Sequence, residues 1–224
     1  MTRKFRFAPG EYYHVFNRGI DKRNIFDSKE EKTRFQKLLY LCNGDMELDM
    51  RAVPYGSAFD LEIGRQLVSI GSYALMDNHF HLLLKELREG GISAFMQKLG
   101  TSHTMFFNLR NVRSGRLYEG PFKAVHIIND NHLRRLFSYI HLNPTSLLSG
   151  SPGSGKKANE FILKELRDFP FSSYQDHLGT IRQESKILRL KDFPKYFLNM
   201  SEYQNDMADW LEIDYEGQAF VTRS

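Results

Sequence analysis

The 224-residue sequence holds a single cysteine, Cys42. This excludes an intrachain disulfide and any cysteine-rich zinc module, and the flanking Leu39, Tyr40 and Leu41 mark Cys42 as a buried free thiol in a reducing interior. No apolar run is long enough to span a bilayer, and residues 1–7 lack the hydrophobic stretch of a signal segment, so a cytoplasmic chain is expected. A nucleotide-binding loop is also missing. Gly150-Ser-Pro-Gly-Ser-Gly-Lys156 has the Gly-x4-Gly-Lys spacing, but Lys157 follows in place of Ser or Thr, and a proline-ended helix precedes it rather than a strand. Nor is there a strong excess of one charge: 31 Lys and Arg face 27 Asp and Glu, a net charge of +4. That balance conceals a division, because residues 1–159 carry 23 basic against 15 acidic side chains and residues 160–224 carry 8 against 12. The first part is cationic enough to meet a polyanion.

Within it lies His79-Phe80-His81, followed by Leu82, Leu83 and Leu84. On a strand, alternation sends both imidazoles to one face and Phe80 to the other. The apolar run predicts a buried strand, where two histidines need a polar partner to offset lost hydration. A shared metal ion is one such partner; a strand cap and a backbone carbonyl are the plainer alternative.

A second segment, Asn129 to Pro144, opens with cap-forming Asn129 and Asp130, carries Leu133, Leu136, Phe137 and Ile140 at helical spacing, and stops at a proline. Its spacing aligns His132, Tyr139 and Asn143 along one edge of the apolar stripe. A phenol can serve as a nucleophile and an amide oxygen as a metal ligand, whereas the plainer reading packs Tyr139 beside the core and makes Asn143 a helix terminator.

Four blocks carry a resemblance: Tyr12-Tyr-His-Val-Phe-Asn-Arg-Gly19 with Asn24-Ile-Phe26, Tyr73 to Leu84, Gly115-Arg-Leu-Tyr-Glu-Gly-Pro-Phe-Lys-Ala124, and Tyr139-Ile-His-Leu-Asn-Pro144. A weaker fifth is Phe169-Pro-Phe-Ser-Ser-Tyr174. The chain resembles the IS200-like single-tyrosine HUH transposases, and most closely the REP-associated tyrosine transposases. The resemblance implies Tyr139 as nucleophile, with His79, His81 and Asn143 as ligands of a divalent ion, Mg²⁺ or Mn²⁺. The implied reaction is nicking and rejoining of single-stranded, hairpin-containing DNA through a 5′-phosphotyrosine intermediate, by a monomer or homodimer. The chain departs from the family after Pro144, where Thr-Ser-Leu-Leu-Ser-Gly replaces a short basic stretch.

Read along its length, the sequence predicts strands over 12–18, 67–76, 80–87 and 122–128, and helices over about 28–42, 92–111 and 129–143. This β-α-β-β-α-β order describes an α+β, ferredoxin-like antiparallel sheet with helices on one face, followed by the Tyr139 helix and a helical or irregular extension. The domain expectation is a catalytic unit over 1–148, a flexible linker over 149–158 and a C-terminal extension over 159–224. Phosphate contacts are expected from Arg18, Arg23, Arg116, Lys123, Arg134 and Arg135. Two rival functions keep the same frame: a non-catalytic single-strand-binding module, although the Arg/Lys-Gly-Phe-Gly-Phe strand signature of RNA-recognition domains is missing, and a metal-dependent phosphodiesterase in which water attacks.

Overall fold

In the computed structural model, which describes residues 5–47, 53, 56, 58–148, 155–197 and 199–215, four strands form one antiparallel sheet. They are β1 (Tyr12–Arg18), β2 (Val68–Leu75), β3 (His79–Glu86) and β4 (Lys123–Ile127), in the order β2-β3-β1-β4. Helix α1 (Lys29–Leu41) connects β1 to β2, and α2 (Gly91–Arg110) connects β3 to β4. This is the ferredoxin-like arrangement that the hydrophobic pattern predicts.

Alternation on the strands divides the sheet between two apolar cores. Tyr13 and Val15 of β1, Phe80, Leu82 and Leu84 of β3, and Val68, Ile70, Tyr73 and Leu75 of β2 meet Phe35, Leu38 and Leu39 of α1 and Ile92, Phe95 and Leu99 of α2. On β2 the inward residues Ile70 and Tyr73 are three apart, which plain alternation forbids. An irregularity between Ile70 and Ser72 inserts Gly71 and restores the facing.

Helix α3 (Asp130–Leu142) covers the opposite face, so the helices are not confined to one side. The Asn129 side chain caps it by accepting from the His132 amide at 2.8 Å. The α-helix ends at Leu142, but Asn143 keeps helical backbone and leads into a 3-10 turn (Asn143–Leu147) with Pro144 at its start, so the expected stop at the proline is a change of helix type, with the missing proline amide falling where a first turn does not need it. Leu133, Leu136, Phe137 and Ile140 pack onto Ala74, Leu83 and Ile127. The chain continues through α4 (Lys156–Asp168), a single turn α5 (Tyr174–His177) and α6 (Met200–Tyr215), which add Ile162, Leu166, Tyr174, Tyr203, Met207 and Leu211 to the same core. The expected linker lies partly outside the described residues; its described end, from Lys156, is already helical, and Ala158 is buried.

The weaker motif around Phe169–Tyr174 closes the β2 edge. The Phe171 carbonyl accepts from the Leu75 amide at 3.0 Å, and the Ser173 amide donates to the Tyr73 carbonyl at 3.0 Å. A strand edge covered in this way offers no row of free amides to another chain. Farther on, the Phe193 ring lies where a β-carbon on Gly71 would sit, 2.7 Å from it, so glycine at the bulge admits the ring. Among the described residues, no helix is long and apolar enough to cross a membrane.

Candidate active site

The strand register determines which polar side chains meet beneath α3. Arg18 pairs with His79, Phe16 with His81 and Lys123, and His14 with Leu83 and Val125. Residues directly opposite one another on a sheet share a face. His14, Phe16, Arg18, His79, His81 and Lys123 therefore gather at one end of the α3 side, while Phe80 turns to the α1 and α2 core.

Tyr139 completes the group from above. Its ring stands edge-on to His14 and His81, with centroids 5.6 and 5.7 Å apart and interplanar angles of 79° and 85°. His79 and His81 are themselves perpendicular neighbours at 5.1 Å. The three side chains singled out in two distant segments thus lie within one cluster. Asn143 occupies the end of α3, one turn beyond Tyr139, where its amide nitrogen donates to the Tyr139 carbonyl at 2.8 Å. Its amide oxygen is the atom suited to a cation.

Burial keeps the imidazoles uncharged. Loss of hydration pulls His79 down to about 4, with the nearby Arg18 charge adding to the effect. His14 falls to about 3 for the same first reason, and His81 lies well below its usual value. Neutral rings at physiological pH retain a lone pair each, which a protonated imidazole lacks.

Two polar neighbours absent from the predicted site bond to these rings. His14 Nε2 lies 2.8 Å from His81 Nδ1, and Asn78 Oδ1 lies 2.6 Å from His79 Nδ1. Asn78 was legible only as a turn residue between β2 and β3, and His14 only as part of an alternating strand. Their roles depend on strand pairing, although the position of His14 inside the Tyr12–Gly19 block was a usable signal.

The expected phosphate-binding residues divide into two groups. Arg18 and Lys123 flank the histidines, Lys123 being exposed on the edge strand β4 beside the half-buried Phe16 ring. Arg23 lines a cavity of about 420 Å³ with Asn24, Asp27, Phe107, Asn111 and Arg113, and exposed Arg116 lies on the segment that pairs with the chain just beyond β1. Arg134 and Arg135 instead meet the C-terminal extension. Arg134 pairs with Asp206 at 3.1 Å and stacks over Phe197, and Arg135 stacks over Trp210.

The sheet, its covering helices and this cluster can be set beside known proteins. No family model matches the chain, and no curated protein does. Among solved structures, it is similar to a REP-associated tyrosine transposase bound to a REP hairpin, with a TM-score of 0.50 and 13% identity over 90% of this chain and 96% of that one. At that identity the likeness establishes a shared fold.

Proposed function

We propose that this chain nicks and rejoins single-stranded DNA by a phosphotyrosine mechanism, with Tyr139 as the nucleophile. The observation that carries the reading is the convergence of Tyr139 with His79 and His81, from an α-helix and a β-strand on the same face of the sheet. A water-activating phosphodiesterase has no need of a phenol there, and a passive binding module has no need of the neutral histidines.

The donor set fits a divalent cation. His79 and His81 are uncharged, and Asn143 adds an amide oxygen at the end of the nucleophile helix. Among the described residues no group of three or more His, Cys, Asp or Glu side chains could hold a metal ion, so no described carboxylate joins His79 and His81 as a third ligand to balance a cation's charge. A DNA phosphate would supply that charge. Two nitrogen donors favour Mn²⁺ over Mg²⁺, which prefers an all-oxygen shell. A cation held by His79, His81 and Asn143 would supply Lewis acidity toward a DNA phosphate.

The remaining chemistry belongs to the side chains. Tyr139 Oη attacks phosphorus, forming a phosphotyrosyl bond as the bond from phosphorus to the 3′ oxygen breaks. The phenolic proton leaves to water, and the departing 3′ oxygen takes one up. Because the phosphotyrosyl ester retains the energy of the broken phosphodiester, a 3′ hydroxyl on a second strand can reverse the step and join DNA without a nucleotide cofactor. Arg18 and Lys123 lie where they can hold flanking phosphates, and the half-buried Phe16 ring beside His81 offers a surface for stacking a base. A hairpin-containing single strand and a cytoplasmic setting belong to the same proposal.

The decisive experiment incubates the full chain with Mn²⁺ and a labelled single-stranded oligonucleotide, then resolves the products under denaturing conditions. The wild-type chain is expected to carry a covalent DNA adduct that Tyr139→Phe lacks. An adduct undiminished in the variant rejects the nucleophile, and cleavage without any adduct points to water as the attacker.

A further inference from the structure

The two histidines engage the protein in the same way, each through Nδ1. For His79 the hydrogen position follows from connectivity. Asn78 Nδ2 donates to the Lys22 carbonyl at 3.1 Å, and a carbonyl can only accept, so the amide must turn its oxygen toward His79. An amide oxygen also only accepts; His79 Nδ1 therefore carries the proton, and its Nε2 keeps the lone pair.

For His81 the partner is another imidazole, which can donate or accept. His14 is 3% exposed and His81 5%, and His14 pairs across the sheet with Leu83 and Val125. A buried imidazole in such a row is costly unless it is bonded. If His14 Nε2 donated, His81 would carry its own proton on Nε2 and could not ligate. If His14 Nε2 accepts, His81 has its proton on Nδ1, matching His79. That second state also rules His14 out as a third ligand through Nε2, because this nitrogen is already committed to His81.

We infer that Asn78 and His14 are positioning residues that hold His79 and His81 in one common tautomer, with Nδ1 protonated, so that both Nε2 lone pairs are kept for a shared divalent cation. Outer partners of this kind fix ring orientation and raise ligand basicity, and losing one commonly lowers metal affinity about 10- to 100-fold. The inference rests on the metal site proposed above and assigns roles to two residues outside it.

The test has two readouts. The first is ¹⁵N NMR of the metal-free chain labelled at histidine, where the chemical shifts report which ring nitrogen carries the proton. His81 protonated at Nδ1, with scalar coupling across the bond to His14 Nε2, is expected; His81 protonated at Nε2 overturns the inference. The second is Mn²⁺ affinity, followed by electron paramagnetic resonance. His14→Phe, which removes the acceptor, is expected to weaken Mn²⁺ binding about 10- to 100-fold, and His14→Gln, which offers an amide oxygen, to restore most of it. Unchanged affinity in His14→Phe overturns the assignment, as does a loss equal to that of His81→Ala, which would make His14 a ligand. Should His14→Phe fail to fold, the wild-type NMR measurement and His14→Gln still decide. A wild-type chain that binds no Mn²⁺ refutes the metal reading, while the tautomer measurement still judges His14 by itself.

Discussion

The two faces of the sheet arise from the same strands and have opposite characters. On the α1 and α2 side, Phe80, Leu82 and Leu84 disappear into a continuous apolar core, with Phe80 against Phe35 at 5.1 Å. On the α3 side, the neighbouring positions His79 and His81 form a polar cluster at one end, and apolar packing resumes at Leu83. One face is devoted to stability. The other spends stability at one end, keeping His14 and His81 buried and His79 partly so, and recovers it at the far end, where α6 and the segment around Phe193 close over the sheet. A reactive cluster can be held rigidly when the reverse side of the same strand is solid core.

Substitutions on adjacent residues should separate the two characters. Tyr139→Phe is expected to eliminate the covalent adduct entirely while changing unfolding free energy by no more than about 1 kcal/mol, since only a hydroxyl is lost. Phe80→Ala should do the reverse, costing about 3–5 kcal/mol in chemical denaturation through the cavity it leaves in the α1 and α2 core. Similar destabilisation by both would show that the faces do not divide the labour in this way.

Acid should weaken both sides. His103, buried on α2 and bonded to the Ile25 carbonyl, is pulled down to about 4 by lost hydration, and His141 and His177, beneath the C-terminal helices, are lowered for the same reason. Their folded values lie below the unfolded one, so the unfolded chain binds more protons in the interval. The stabilisation is complete above about 6.5 and is lost as pH falls toward 4. His103 alone accounts for about 3 kcal/mol of this loss, to be measured as a falling Tm across that interval. A Tm that is flat between pH 7 and 4 contradicts the burial of these rings.

The smallest expected effect concerns how the far end of the α3 face is closed. Gly71→Ala forces a methyl group into the Phe193 ring and should cost about 1–3 kcal/mol in urea denaturation, with adduct formation on a short oligonucleotide unchanged. Loss of the adduct would mean that closure at Phe193 also sets the position of Tyr139.

Much of this was legible before any coordinates. The first strand over 12–18 and the spans of the helices that flank the sheet follow from alternation and 3.6-residue spacing, which act between near neighbours in the chain. His79 and His81 could be placed on one face for the same reason, and Tyr139 and Asn143 on one edge of a helix. What those rules could not supply is which strand lies beside which. The partners of the histidines show this most clearly: Asn78 read as a turn residue and His14 as an ordinary strand position, and their bonds exist only because β1 pairs with β3 in one register and the turn after β2 packs on the chain at Lys22. Arg134 and Arg135 show the converse, since two cations that suit a phosphate by composition are engaged by Asp206, Phe197 and Trp210.

The sequence by itself therefore determined the elements, their buried faces and the side chains proposed to react, because periodicity and side-chain chemistry are local properties. Only the tertiary structure decided which groups meet, on which face α3 lies and which charges remain open to a ligand. Those outcomes depend on register and packing between segments more than a hundred residues apart, such as Asn17 and Gly120, where a shift of one residue would turn every side chain to the other face.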